Sequence, residues 1–83
     1  MKVEVRYFAA LREALGSGES VDLPAGATLG LLRDTLLARG GRHAEVLARG
    51  RAVRSALNQA MSDDAAPLAE GAEVAFFPPV TGG

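Results

Sequence analysis

The part of this 83-residue chain that could do chemistry is its last segment, where the diproline Pro78-Pro79 precedes Val80, Thr81, Gly82 and Gly83. Two prolines favour an extended polyproline conformation. Six residues at ~3.3 Å each would let Gly83 reach up to roughly 20 Å beyond the domain. Because glycine has no Cβ, the Gly82-Gly83 pair suits a backbone that must pass through a narrow slot. The segment predicts a tail that enters a partner and presents its terminal carboxylate.

That carboxylate, on Gly83, is the predicted reactive group. A terminal carboxyl has a reference pKa of about 3.3–3.7, so it is ionised at neutral pH and is a poor electrophile. We therefore expect an ATP-using partner to convert it to an acyl adenylate, from which a sulfur nucleophile displaces AMP and leaves a thiocarboxylate. The competing interpretation is a frayed chain end. The rigid diproline and the shortage of other reactive groups favour the reactive tail.

Composition removes most other chemistries. The sequence has no cysteine and one histidine, His43, which excludes disulfides, zinc fingers, iron–sulfur clusters and histidine-rich metal sites. We expect His43 to be a surface residue in a helical turn, and the adjacent acids Asp63 and Asp64 to be solvated. Lys2, the only lysine, is expected on the solvent face of a strand. We predict no metal site and no cofactor bound by this chain.

The charge pattern disfavours two classes of partner. The formal net charge is −1 and the pI is about 5.7, with acids and arginines interspersed, so there is no basic footprint for nucleic acid. No apolar run approaches the roughly 20 residues of a membrane helix, and the N-terminus does not resemble a signal peptide. We expect no nucleic-acid partner, no membrane and a cytoplasmic location.

The tail must be positioned by a small domain, whose first elements are two strands joined by a short helix. Residues 2–8 alternate as a half-buried strand. Residues 9–15 predict a helix that ends at a glycine-rich turn, and residues 19–23 predict a second strand. The residues predicted to face the core are Val3, Val5, Tyr7, Val21 and Leu23.

The main helix is predicted from Thr28, a plausible N-cap, to about Arg39, with Gly40 as a left-handed terminator. Its apolar stripe is Leu29, Leu32 and Leu36, with Arg33 at the stripe's edge extending its charge to water. Residues 45–48 would add one helical turn.

The later strands are predicted at residues 52–58, near Met61 and at residues 73–77, with Asn58-Gln59 as a tight turn and residues 63–71 as a loop. Val53 and Leu57 would face inward. The order of elements predicts an α+β roll like that of ubiquitin, a mixed sheet with one main helix on one face. We expect residues 1–77 to form the domain and residues 78–83 the tail.

The terminal run FFPPVTGG, together with Asn58-Gln59, Pro67-Leu68 and residues 73–75, is distinctive. In these segments the chain resembles the small subunit of molybdopterin synthase, a family of ubiquitin-like sulfur carriers. The opening run VRYFAALREALG, residues 5–16, is also similar to the family's first strand and helix. Residues 29–51 agree in pattern only.

The resemblance implies a β-grasp fold and a role in molybdenum cofactor biosynthesis. A ubiquitin-activator-like enzyme would use ATP to adenylate Gly83, and a sulfur donor protein would supply the thiocarboxylate sulfur. The tail would then enter the active site of a large subunit, within a heterotetramer, and give sulfur to a cyclic pterin precursor to form the molybdopterin dithiolene. The large subunit would supply most catalytic side chains, so the chain would not be catalytic alone.

A partner surface is also predicted beside the tail. Phe8 and Phe77 alternate with core residues on the first and last strands, so neighbouring strands would place both on one outer face, joined by Met61. Arg12 resembles a family interface position, and tail residues 78–81 would contact the same partner. The competing interpretations are that one aromatic folds back into a satellite core and that Arg12 is simply solvated.

Three other functions stay open on the sequence alone. A carrier for thiazole synthesis in thiamine biosynthesis shares the fold and chemistry, although such carriers tend to be shorter and lack the Phe-Phe-Pro-Pro run. A ubiquitin-like modifier that forms isopeptide bonds with lysines shares the terminal Gly-Gly. The third alternative is a plain interaction domain with an inert tail.

Overall fold

A mixed five-stranded sheet with helices on one face makes up the computed structural model, which describes residues 1–48, 50 and 52–79. Its strands lie in the order β2-β1-β5-β3-β4, with β1 and β5 parallel at the centre and the other neighbours antiparallel. The α+β, β-grasp prediction is therefore confirmed. The elements in chain order are β1 (Lys2–Tyr7), α1 (Ala10–Leu15), β2 (Gly18–Asp22), α2 (Leu29–Leu37), α3 (Gly41–Leu47), β3 (Arg54–Leu57), β4 (Ala60–Ser62) and β5 (Glu73–Phe77).

The core lies between the inner face of the sheet and the helices. Strand β1 shows the alternating burial that its sequence predicts. The predicted stripe of α2 is fully buried at Leu29, Leu32 and Leu36, and each such leucine contributes roughly 1.5–3 kcal/mol through removal of apolar surface from water. Val53 and Leu57 pack against this core, as predicted. In the described ranges, no helix has the length and apolarity that a bilayer crossing requires.

Helix α2 begins where the sequence predicts and ends earlier. The Thr28 hydroxyl accepts a hydrogen bond from the Leu31 amide at 3.3 Å, so the predicted N-cap is confirmed. The helix stops at Leu37, and the prediction that Gly40 terminates it in the left-handed helical region is wrong. Gly40 has φ 71° and ψ −162° and is the N-cap of α3, a complete short helix where one turn was predicted. The two positive-φ glycines, Gly40 and Gly41, allow the chain to turn and restart.

The expectation that Arg33 extends its charge to water is wrong. Its side chain is buried instead of extending to water, and its Nε and Nη2 atoms donate to the carbonyls of Leu47 and Ala48 at 2.8 and 2.9 Å. Carbonyls at a helix C-terminus lack partners within the helix, and a cation is favourable there. Arg33 therefore joins the middle of α2 to the end of α3.

The second half of the sheet follows the prediction with small shifts. Strand β3 begins at Arg54, two residues later than predicted, and β5 has the predicted bounds. Asn58 and Gln59 both have positive φ, 48° and 72°, as the two central residues of a type I′ hairpin turn do. This turn places Met61 on the edge strand β4.

Candidate functional site

The base of the tail is where the described part of the predicted site begins. Strand β5 ends at Phe77, and Pro78 and Pro79 follow it with partial burial. Val80, Thr81, Gly82 and Gly83 lie outside the described residues, so their predicted roles stay predictions. The structure therefore shows the surface from which the tail starts.

The parallel pairing of β1 with β5 brings the two predicted aromatic residues together. Tyr7 is in register with Phe76, and the Phe8 amide donates to the Phe76 carbonyl at 3.1 Å, which extends the pairing by one residue. Phe8 is therefore level with Phe77. Since Tyr7 and Phe76 face the core, both phenylalanines point to the outer face. Phe8 is 47% exposed, and Phe77 is partly buried.

Met61 reaches the same face through β3. Ala56 is in register with both Ala75 and Met61, and directly paired residues point to the same side of a sheet. The small side chains of the two alanines leave the surface lower between the larger side chains. Met61 is 59% exposed. We call this set the outer patch: Phe8, Phe77 and Met61 around Ala56 and Ala75. Neither phenylalanine belongs to the core cluster, which favours an interaction surface over the satellite-core alternative.

Two arginines lie beside the outer patch. Arg6 lies next to Ala75 and forms an exposed ion pair with Glu73 at 3.7 Å, and Arg54 is in register with Phe77. Arg12 is exposed on α1, and its contact with a partner stays a prediction. An apolar centre with a charged rim is the usual anatomy of a protein interface.

Phe8 owes its position partly to an unusual backbone at Ala9. This residue has φ 53° and ψ −131° and is the N-cap of α1. A non-glycine residue in this region costs on the order of 1–3 kcal/mol. The sharp turn lets α1 bury Leu11 against the core while Phe8 stays on the opposite face. No sequence pattern predicted this turn.

A cluster of polar side chains holds Tyr7 from the inner side of the sheet. The Tyr7 ring stacks on Phe76 with centroids 6.4 Å apart, and its hydroxyl donates to Glu19 Oε2 at 2.7 Å. The same carboxylate oxygen lies 3.0 Å from His43 Nε2, and Arg39 pairs with Oε1. His43 lies in helix α3, as expected, but its side chain is only 22% exposed, because α3 packs its ring edge-on to Tyr7.

The charges of this cluster are fixed by its own hydrogen bonds. Burial acts to raise the pKa of Glu19, but the hydrogen bonds from Arg39, His43 and Tyr7 outweigh it and lower that pKa to about 2. Burial, then the hydrogen bond and charge of Glu19, raise the pKa of Tyr7 well above its usual value. Glu19 therefore stays ionised and Tyr7 stays protonated at neutral pH. The cluster fixes the tail-proximal ends of β1 and β2 to the α2–α3 connection.

A shallow depression borders the tail base and shares Met61 with the outer patch. Its lining includes Pro79, Arg54, Met61 and Asp63, with Arg33 among the residues that close it. The Asp63 carboxylate accepts a hydrogen bond from the Ala65 amide at 3.0 Å, which is a local turn contact. Among the described residues, no group of three or more histidines or acids could hold a metal ion.

The sequence matches known proteins along almost its whole length. The model of the ThiS family matches residues 5–83. The molybdopterin synthase sulfur carrier subunit of Escherichia coli is 38% identical over 81 residues, which cover 98% of this chain and 99% of that protein. The subunit of the same name from Mycobacterium tuberculosis is 38% identical over 85 residues, covering 100% and 99%.

Solved structures show the same similarity in three dimensions. Subunits 1 and 2 of the molybdopterin-converting factor from Helicobacter pylori form a complex, of which one chain is 30% identical with a TM-score of 0.72 and full coverage of both chains. Small archaeal modifier protein 1 of Haloferax volcanii is 28% identical with a TM-score of 0.77, covering 95% of this chain and 98% of that one. A ubiquitin from Caldiarchaeum subterraneum, 17% identical with a TM-score of 0.64, covers 100% of this chain and 98% of that one and shares the fold.

The polar cluster leads to a prediction about acid stability. Because the pKa of Glu19 falls from 4.5 to about 2 on folding, its stabilising effect is complete above about pH 4.5 and is lost as the pH falls towards 2. Allowing for its partial exposure, the loss is about 2 kcal/mol. Glu19→Gln should be less stable than the parent protein at pH 7, and the gap should close towards pH 2. Urea unfolding followed by circular dichroism at several pH values measures this.

Glu13→Gln is the matched control, since Glu13 is an exposed acid on α1. Its unfolding free energy should follow the parent protein at every pH. A constant difference between Glu19→Gln and the parent protein from pH 7 to pH 2 would show that the cluster does not hold Glu19 ionised.

Proposed function

Because the chain belongs to the ThiS family, we propose that it is the sulfur carrier subunit of a molybdopterin synthase, with Gly83 as the residue that bears the sulfur. The observation that carries the proposal is the nearly end-to-end similarity to the sulfur carrier subunits, which are covered to 99% of their own length. The terminal run FFPPVTGG supplies an unhindered carboxylate on a stiff lead-in. We expect this work to take place in the cytoplasm.

The reaction begins with activation of Gly83. A carboxylate oxygen attacks the α-phosphorus of ATP in an adenylating partner, and pyrophosphate leaves. Hydrosulfide released by a sulfur donor protein then attacks the acyl carbon, the bond from that carbon to AMP breaks, and the proton on sulfur passes to solvent. The product is a thiocarboxylate, whose sulfur is a good nucleophile at neutral pH. ATP is used by the partner, and the carrier itself binds no cofactor in this scheme.

The second stage takes place in a large subunit. The thiocarboxylate sulfur bonds to a carbon of the cyclic pterin precursor and displaces an oxygen substituent from it, and attack of water on the acyl–sulfur bond returns Gly83 to a carboxylate and leaves the sulfur on the pterin. Two carriers in turn would supply the two sulfurs of the dithiolene. Side chains of the large subunit would handle the protons. This chain contributes binding energy, reach and an acyl group free of steric hindrance.

The described surface is suited to a carrier that binds a large subunit and delivers its tail to the active site there. The outer patch is apolar, has two arginines beside it and is adjacent to the start of the tail, so a partner that covers the patch also receives the tail. Four residues beyond Pro79 span about 13 Å when extended, enough to enter a neighbouring active site. The complex of subunits 1 and 2 from Helicobacter pylori supports a large subunit as this partner.

A second candidate function is protein modification. It is favoured by the similarity to small archaeal modifier protein 1. The same activated Gly83 would then be attacked by a lysine amine on another protein, and AMP would leave as an isopeptide bond forms. Both functions use one activated carboxyl, and the acceptor decides between them.

Deleting Gly83 tests the carrier function. The truncated chain should fail to convert the pterin precursor when it is mixed with large subunit, activating enzyme, ATP and a sulfur source. Its melting temperature should be nearly unchanged, because the deletion removes no side chain and terminal residues usually add little to the stability of a domain. Asp22→Asn, at the opposite end of the sheet, is the control and should keep full conversion. Product formation by the truncated chain would refute the role of Gly83.

Replacing Phe77 tests the docking surface. Phe77→Ala should weaken binding to the large subunit by at least about 2 kcal/mol, or about 30-fold, as loss of a central aromatic contact does. The control is Leu31→Ala, which removes an exposed apolar side chain from α2 and should leave binding intact. Calorimetric titration gives the affinities, and thermal melts report the fold. If Phe77→Ala binds normally but melts far below Leu31→Ala, Phe77 serves the core instead.

A further inference from the structure

The outer face of the sheet carries charged side chains around the outer patch, and the strand register places them in rows. In the row nearest the tail, Arg54 of β3 is paired with Phe77 of β5. Further from the tail, Glu73 of β5 is paired with Glu4 of β1. Directly paired residues point to the same side of a sheet, so this face carries a cation beside the tail and two acids further back.

Some charges of this face balance one another. Arg6 lies between the two rows and forms an exposed ion pair with Glu73 at 3.7 Å. Beyond Glu4, Lys2 of β1 is in register with Asp22 of β2, so charges of opposite sign are adjacent there as well. These four side chains therefore add little net charge to the surface that a partner meets.

Arg54 and Glu4 carry charges that the described part of the chain leaves uncompensated. The exposed Arg54 side chain makes no hydrogen bond or ion pair within that part. Asp63 lines the same depression, but its carboxylate accepts from a backbone amide instead. The Ser20 hydroxyl donates to the Glu4 carboxylate, whose oxygens lie 2.9 and 2.7 Å from it, and brings no opposite charge.

The two residues lie on diagonally opposite sides of the outer patch. Arg54 adjoins Phe77 at the tail end of β3, whereas Glu4 lies on β1, four residues before Phe8. Four residues span about 13 Å along a strand and two strand spacings span about 10 Å, which separates the two charges by about 16 Å. This distance exceeds the screening length of about 8 Å at physiological ionic strength. Each charge therefore acts on its own part of a partner surface.

An apolar patch alone selects poorly among partners, because hydrophobic association is non-directional and follows the area buried. Fixed charges steer the encounter and disfavour partners of the wrong sign. An exposed ion pair adds little affinity, but two like charges opposed in an interface cost much more. Opposite charges on the two sides of the outer patch therefore select both a partner and the direction in which it lies across the patch.

We propose that Arg54 and Glu4 are specificity-determining residues of the docking surface, and that the large subunit presents a carboxylate opposite Arg54 and a cation opposite Glu4. The large subunit is the occupant because both residues adjoin the outer patch, and because the protein that receives the tail must cover the tail base beside Arg54. This inference rests on the proposed function and names the charges that the same partner must carry.

The first experiment measures binding of the full chain to the large subunit by stopped-flow kinetics at about 50 and about 500 mM salt. Arg54→Glu and Glu4→Lys should each bind at least about tenfold more weakly at the lower salt concentration, mainly through slower association. The difference from the parent protein should fall below about threefold at the higher concentration, because salt screens exposed charges.

Arg42→Glu is the matched control for charge reversal. Arg42 is exposed on α3, in the helical layer behind the sheet, so this variant should bind like the parent protein at both salt concentrations. Thermal melts of all the variants verify that each protein is folded.

A second experiment identifies the group opposite Arg54. Arg54→Lys keeps the charge and adds an amine, which a water-soluble carbodiimide can join to a carboxylate in contact with it. The carbodiimide activates the partner's carboxyl group, the amine attacks the carboxyl carbon, and an amide forms as a urea leaves. Peptide mapping should find the introduced amine joined to an acidic residue of the large subunit. Arg42→Lys, which adds the same amine to the helical layer, should give no such conjugate.

Three results would overturn the inference. Either charge reversal could bind the large subunit as tightly as the parent protein at low salt, Arg54→Lys could give no conjugate, or the reversals could weaken binding to the activating enzyme alone. A parent protein that does not bind the large subunit at all would overturn the proposed function and this inference with it. Normal binding by the parent protein therefore separates failure of the inference from failure of the proposed function.

Discussion

The parallel pairing of β1 with β5 is the constraint on which the rest of the structure depends. It joins the two ends of the sequence at the centre of the sheet, with Tyr7 opposite Phe76 on the core side. The same register puts Phe8 beside Phe77 on the outer side and sets the point where the tail leaves. A shift of one residue would exchange the two faces of β5, burying Phe77 and exposing Phe76. The register of β1 with β5 therefore determines the core, the outer patch and the position of the tail base together.

The polar cluster around Glu19 stabilises this register from the inner face of the sheet. Its cost is the desolvation of a carboxylate, which three donors and the charge of Arg39 offset. In return, the Tyr7 ring is held in one position against Phe76, and the α2–α3 connection is joined to the sheet. Arg33 has a similar role at the end of α3. Side chains with both charge and directional hydrogen bonds therefore fix the helices relative to the strands, while the leucine stripe supplies most of the burial.

The parts of the fold that the sequence predicts correctly are those in which apolar residues recur at regular spacing. Alternation identified β1 and the bounds of β5, and the leucine spacing identified the buried face of α2. The errors at Arg33 and His43 share one cause, which is a partner distant in sequence. Nothing in the sequence near Arg33 predicts that its side chain will donate to carbonyls at the end of α3. Nothing near His43 predicts that Glu19 and Tyr7 will lie beside its ring. The turn at Ala9 has no sequence signal, because alanine has no preference for that conformation. The function was predicted from the tail run FFPPVTGG and the opening run, whereas residues 29–51 resemble the family in pattern only.

The central claim is that Gly83 becomes a thiocarboxylate, and intact mass spectrometry tests it most directly. The full chain is incubated with the activating enzyme, ATP and a sulfur source, and then fragmented to locate any change. We predict a gain in mass equal to replacement of one oxygen by sulfur, confined to the last residue and dependent on ATP. A chain that keeps its unmodified mass under these conditions, or that carries the sulfur at another residue, would contradict it.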